Sequence, residues 1–292
     1  MTSAHHPLRG ILLMLAAVFF FALLDATSKG LAATYPVPFL AWSRYLVHCL
    51  LMVVFLGPRL GRGLVATRRP GLQILRALLL VGVTACMMAA LRAMPLAETT
   101  AVVFITPLLV AILAGPWLKE KIGLNRWLAV GVGFIGVLLV ARPGGGLSGE
   151  GIAWALACAA CYTVYQLLTR QLSPTENTLT MLFYTALVGT LSMTLATPWF
   201  GTIPAIQGWD WLRICAMGLF GGTGHFLLIA AFRHAPASTL SPFLYVQLLW
   251  ATLLGWLVFG HLPDAMAALG MAVIAASGLG LALIQRRESR RA

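Results

Sequence analysis

"AALRAMP" at residues 89–95 and "AAFRHAP" at residues 230–236 share the same Ala-Ala, Arg and Pro in the same order, 141 positions apart. Extending that offset in both directions brings two halves of the chain into register. Gly10-Ile11 meets Gly151-Ile152, Leu15-Ala16 meets Leu156-Ala157, and Leu46-Val47 meets Leu187-Val188. Phe21 falls on Tyr162, Asp25 on Gln166, Lys29 on Arg170, and Thr84 on His225. The chain is an internal duplication, and what each copy must be follows from its composition.

Sixty per cent of the 292 residues are hydrophobic and only 10% are charged, against about 25% charged in a typical soluble domain. Too few polar residues are present to coat a soluble globule, so the chain reads as an integral membrane protein. Apolar runs of about 20 residues suit a hydrocarbon core of ~30 Å. Ten are expected, at 10–31, 37–57, 71–91, 96–115, 124–141, 149–170, 178–198, 209–232, 237–257 and 265–284. Short connections rich in Pro and Gly separate them, as in "GPRLGRG", "RPGGGLSGEG" and "HLPD". No cleavable leader is expected, because the first run is too long and no A-x-A site follows it.

The formal net charge of +12 does not point to nucleic acid. Its basic residues fall in gaps between apolar runs, as membrane topology requires. Arg59, Arg62, Arg68, Arg69, Lys119, Lys121, Arg126, Arg170, Arg233 and the tail arginines crowd one side, with Arg76 just inside a run, whereas Lys29, Arg92, Arg142 and Arg213 lie on the other. Both termini are therefore expected in the cytoplasm of a multi-pass protein of the bacterial inner membrane. The five cysteines all sit within apolar runs and read as packing residues. No metal site, nucleotide-binding loop or cofactor motif is present in the sequence, and "PGGGLSG" (143–149) lacks the Lys-Ser/Thr of a phosphate-binding loop.

Five runs per copy is an odd number, so the second copy enters the membrane in the opposite direction. Inverted repeats of this kind are a transporter architecture, in which either half can take the conformation of the other. The expected fold is an all-α polytopic protein of ten transmembrane helices in two inverted five-helix repeats. Their bounds are 1–142 and 149–286, with a basic cytoplasmic tail at 287–292.

The stretches "FFFALLDATSKGLA", "WSRYLVH", "RAMPLAETTAVVFITPLLV" and "GVGFIGVLLVARPG" resemble the drug/metabolite transporter superfamily, EamA type, over nearly the whole chain. Within it, the overall likeness is to bacterial exporters of aromatic and other amino acids. The resemblance implies a central cavity lined by spans 1–4 and 6–9, with spans 5 and 10 peripheral. It also implies a small-molecule substrate, contact with membrane lipid and a monomeric carrier that is not an enzyme. A multidrug exporter of the same fold and an intramembrane enzyme are the rivals. The enzyme would need clustered carboxylates, and the eight acids are scattered.

Polar residues inside apolar runs are the candidate site, because charge on lipid is costly. Asp25 is six residues from the outer end of the first run, roughly 9 Å deep at ~1.5 Å per residue. It pairs with Lys29 one turn on, faces a vestibule together with Arg44, or does both. Arg44 stands alone in its run, with His48 a turn deeper and Trp42 and Tyr45 nearby. Its forked guanidinium suits a carboxylate, and snorkelling to headgroups is the alternative. His225 beside Gly221, Gly222 and Gly224 can border a cavity or bond a neighbouring helix. Tyr162, Tyr184 and Tyr245 offer aromatic lining or plain packing. Pro107 and Pro242 interrupt the fourth and ninth runs, as gating hinges or fixed bends. Glu98 caps the fourth run.

Overall fold

The computed structural model describes residues 7–118, 124–141, 146–172, 175–199, 204–234, 240 and 243–289. Among these it is all-helical. The first copy holds α1 (Pro7–Ala32), α2 (Val37–Leu60), α3 (Pro70–Ala93), α4 (Leu96–Val103), α5 (Thr106–Leu118) and α6 (Leu124–Ala141). The second holds α7 (Gly149–Leu172), α8 (Thr178–Ala196), α9 (Asp210–His234), α10 (Val246–Phe259) and α11 (Ala265–Ser289). Six helices, α1, α2, α3, α7, α8 and α9, are long and apolar enough to cross a membrane. Four expected runs appear as shorter apolar stretches, Leu96–Val110, Gly131–Ala141, Val246–Phe259 and Ala265–Gly280.

The fourth run is interrupted at Phe104-Ile105, between α4 and α5, where Ile105 N makes a tight-turn bond to Val102 O. Pro107, at the second position of α5, has no N–H to offer the carbonyl four residues back. That carbonyl, Val103 O, instead accepts the Thr106 hydroxyl at 2.7 Å. Pro242 lies outside the described residues.

Packing follows the duplication. Three helix pairs are the most extensive, α1 with α9, α6 with α11 and α3 with α7, and the first and last are the same pair with the halves exchanged. Helices α6 and α11 are each other's counterparts and pack closely, as do α2 and α8. A Cβ on Gly136 would meet Gly270 O at 2.9 Å, and one on Gly270 would meet Gly136 O at 2.7 Å. The α6–α11 contact therefore runs backbone to backbone.

Contacts also fix the direction of the copies. Lys29, near the end of α1, donates to Leu91 O and Met94 O at the end of α3, at 2.8 and 2.7 Å. Met94 in turn packs on Gly151 at the start of α7. The end of α1 and the start of α7 thus share one end of the bundle, and the two helices run in opposite directions. We call this the Lys29 end and the opposite one the Arg76 end.

Candidate functional site

A cavity of about 970 Å³, part of it open to the surroundings, lies between the two copies. Five pairs of its lining residues are repeat counterparts: Phe21 and Tyr162, Asp25 and Gln166, Thr84 and His225, Val103 and Leu244, Thr106 and Gln247. The cavity therefore sits on the axis that relates the halves. It is lopsided about that axis. Ser28, Met87 and Met88 line it, but their counterparts Thr169, Leu228 and Ile229 do not. These three lie toward the Lys29 end, so the cavity widens in that direction.

Among the described residues of this wall Asp25 supplies the only carboxylate and Arg44 the only guanidinium. The side-chain amide of Gln247, on α10, donates to Asp25 at 3.1 Å. Arg44 Nη1 donates to Thr84 Oγ1 at 2.5 Å, and the guanidinium lies 5.0 Å from the centre of the Tyr45 ring. Tyr45 Oη bonds both Leu80 O and Thr84 Oγ1 at 2.8 Å, so α2 and α3 hold the arginine from two sides. Gly221 on α9 makes room for it, since a Cβ there would stand 3.0 Å from Arg44 Nε. That Nε has no hydrogen-bond partner. No ion pair joins Asp25 to Arg44 among the described residues, so each charge keeps capacity for a further group.

Of the residues picked out in the sequence, Asp25, Arg44, Tyr162 and His225 meet at this cavity. His225 packs edge-on against Phe21, with ring centres 4.9 Å apart, where Gly224 lets the helices close up. His48 is buried one turn from Arg44 beside Gly222, and its Nε2 is without a partner. The other three are placed elsewhere. Trp42 donates its indole N–H to Thr194 Oγ1 at 2.9 Å, and Tyr184 donates to Val65 O at 3.1 Å. Tyr245 packs on Gly278 of α11 and on Phe104, with ring centres 5.3 Å apart. Lys29 turns to the α3 carbonyls and does not pair with Asp25. Glu98 Oε1 lies 3.0 Å from His261 Nε2 at the Lys29 end.

Thr84 and Gln247 join Ser28, Thr100, Thr106 and Gln166 as neutral polar residues of the wall, and none of them stands out in sequence because neutral polar residues leave no mark on an apolar run. The repeat register does single out Thr84 and Gln247, as the counterparts of His225 and Thr106. Arg76, read from sequence as a topology signal, proves to be fully buried.

Both ends of the bundle are hooked in the same way. At the Arg76 end, Glu176, in the turn after α7, accepts from Thr67 Oγ1 (2.7 Å), Arg68 N (3.2 Å) and Gln73 Nε2 (3.4 Å). At the Lys29 end its counterpart Tyr35, in the turn after α1, donates to Asp210 Oδ2 and accepts from Gln207 N, each at 3.0 Å. In each case the first turn of one copy grips the segment entering the third long helix of the other.

Two halves built alike around one cavity agree with what sequence comparison finds. The model of the EamA-like transporter family matches twice, at residues 8–142 and 149–283. The chain belongs to the EamA-like transporter family. Among its relatives is a riboflavin transporter of Vibrio cholerae, 28% identical over 100% of this chain and 98% of that one. An S-adenosylmethionine uptake transporter of Rickettsia felis is 26% identical over 86% and 84% of the two chains. A pseudopaline exporter of Pseudomonas aeruginosa is 24% identical over 93% and 95%. A solved crystal structure shares the fold with a TM-score of 0.68, at 21% identity over 95% of this chain and 98% of its own. Family and relatives alike mark a multi-pass membrane transporter of small molecules rather than an enzyme.

Proposed function

We propose that this EamA-like transporter exports small metabolites, amino acids foremost, by alternating access between two inverted five-span repeats, residues 1–142 and 149–286. The observation that carries the reading is the cavity on the axis between the copies, with a carboxylate and a guanidinium on separate helices. An α-amino acid presents the complementary pair, an ammonium for Asp25 and a carboxylate for the fork of Arg44. The rest of the wall, with Phe21, Phe104 and Tyr162, suits apolar and aromatic side chains. In this reading the four shorter helical stretches complete ten spans, and Pro107 and Pro242 serve as paired hinges. The residues 287–292 form a cytoplasmic tail of a monomeric carrier.

The basic residues support an inner-membrane orientation with the Arg76 end and both termini in the cytoplasm. The cavity then widens toward the outside. Relatives named for uptake and for export show that the architecture serves both directions. The outward direction is proposed on the overall likeness to bacterial amino-acid exporters. A second reading, export of cationic compounds, is favoured by Asp25 in the wall, although the nearby guanidinium repels a cation that lacks a carboxylate.

The test is transport of labelled amino acids and of organic cations by purified protein in proteoliposomes, with and without a pH gradient. Amino-acid transport is expected, abolished by Arg44→Ala and poorly restored by Arg44→Lys, which loses the planar fork. Wild-type kinetics in Arg44→Ala overturn the role of Arg44. Transport of cations without amino acids moves the function to the second reading.

A further inference from the structure

Gln166 lies at the floor of the cavity. It is the last residue of α7 to line the wall, as Leu80 is the first of α3, so the cavity stops at these two on the way to the Arg76 end. Its counterpart Asp25 lines the same wall from α1, nearer the Lys29 end. Gly151 and Lys29 mark one level of the bundle through their contacts with Met94. Asp25 is four residues from Lys29 and Gln166 is fifteen from Gly151. At ~1.5 Å per residue their backbones are separated along the bundle by roughly 10–15 Å. Each Cα–Cβ bond in a helix tilts toward the N-terminus. Because α1 and α7 run in opposite directions, Asp25 and Gln166 lean toward each other from the two ends of the cavity.

The duplication shows how the two positions differ. Asp25 accepts from Gln247 at 3.1 Å. The equivalent partner for Gln166 is Thr106, but its hydroxyl is turned to Val103 O at 2.7 Å and Ala159 O at 3.5 Å. No hydrogen bond reaches the Gln166 amide among the described residues. It therefore presents both a donor and an acceptor to the cavity.

A ligand group that covers this amide takes it out of water, which is unfavourable unless the group bonds it in turn. The described wall at this end holds no carboxylate, guanidinium or ammonium, so an ionised group there would lie uncompensated. Tyr162, one turn nearer Asp25 in level, and Phe104 supply flat apolar surface between the two ends. The wall is thus charged where an amino-acid head binds, aromatic in the middle, and neutral and polar at the floor.

We propose that Gln166 is a specificity-determining residue, bonding an uncharged polar group at the far end of the substrate's side chain while Asp25 and Arg44 hold the amino-acid head. Aryl amino acids with a hydroxyl or amide at the tip are then preferred over purely apolar ones. The inference rests on the amino-acid reading above and names the class within it.

The test measures transport of labelled L-tyrosine, L-phenylalanine and p-methyl-L-phenylalanine by full-length protein in proteoliposomes. The p-methyl compound matches tyrosine in shape but carries a methyl in place of the hydroxyl. Half-saturation for tyrosine should be about 5- to 50-fold lower than for the p-methyl compound. Gln166→Met keeps the side-chain length and removes the amide. It should bring the two within about twofold of each other, chiefly by weakening tyrosine, while phenylalanine holds or tightens. Gln166→Leu gives the same comparison if the methionine variant is not inserted. Wild-type protein that does not prefer tyrosine to the p-methyl compound overturns the inference while leaving the amino-acid reading intact. Variants that keep the preference, or that weaken all three substrates by one common factor, do the same. Transport of aliphatic amino acids alone has that meaning too, and wild-type protein that carries no amino acid overturns both.

Discussion

Replacing Pro107 with alanine gives the junction of α4 and α5 the N–H it lacks. Val103 O now accepts the Thr106 hydroxyl, at 2.7 Å, and the helix is interrupted at Phe104-Ile105. Proline in a helix interior is disfavoured by ~3 kcal/mol relative to alanine. Alanine at 107 would favour a continuous helix by that amount, less the Thr106 bond it displaces, worth ~1 kcal/mol. The net ~2 kcal/mol corresponds to about a 30-fold shift toward whichever facing state has the straighter helix. Spin labels at Gly71 and Thr175 report opening of the Arg76 end, and labels at Thr34 and Ile206 report the Lys29 end. Gly71 has no heavy atom within 4 Å of its would-be Cβ, and the other three positions are exposed or in turns. The expected outcome is a reciprocal change in the two distance distributions with slower turnover, and little change in affinity within either state. Distributions and turnover like those of wild type would show that Pro107 is a fixed bend.

Glu176→Gln replaces the charged acceptor of three donors at the Arg76 end, so amide exchange across residues 65–69 should accelerate about tenfold. Tyr35→Phe should do the same for the segment around Gln207 at the other end, and unchanged exchange in both would remove the hooks from the mechanism. Gly136→Ala forces a methyl against Gly270 O and should lower stability by about 1–3 kcal/mol in detergent melts. Gly131→Ala, with nothing within 4 Å, should be neutral, and equal melts for the pair would mean that α6 and α11 yield easily. A cysteine at Gly63 should stay unlabelled by an impermeant thiol reagent in intact cells. Labelling there would reverse the proposed orientation.

Much of the site is legible in sequence because ionisable side chains are conspicuous in apolar runs. Asp25, Arg44 and His225 stand out for that reason, and the repeat offset adds Tyr162 opposite Phe21. What periodicity cannot provide is the facing of each aromatic. Trp42 and Tyr184 occupy spans as Tyr162 does, yet their indole and hydroxyl bonds lie away from the cavity, and Tyr245 packs on the wall residue Phe104 without lining the cavity itself. Local spacing also misleads at Asp25 and Lys29, one turn apart, because Gln247 and the end of α3 offer partners from distant parts of the chain. Arg76 is obscured by its neighbours. Six residues into α3 and close behind Arg68 and Arg69, it reads as part of a basic flank until its side chain is seen enclosed.

The backbone contact of α6 with α11 has a consequence for the origin of the chain. Gly133 meets Ser277 across it, and the repeat counterparts of those two, Ile274 and Gly136, meet each other as well. A surface that pairs with its own equivalent in this way is what a two-fold homodimer requires. Two separate copies of the ancestral five-helix unit could have associated through it before any linker joined them. Joined in one chain, the copies can differ, and here one carries arginine (Arg76) where the other carries methionine (Met217).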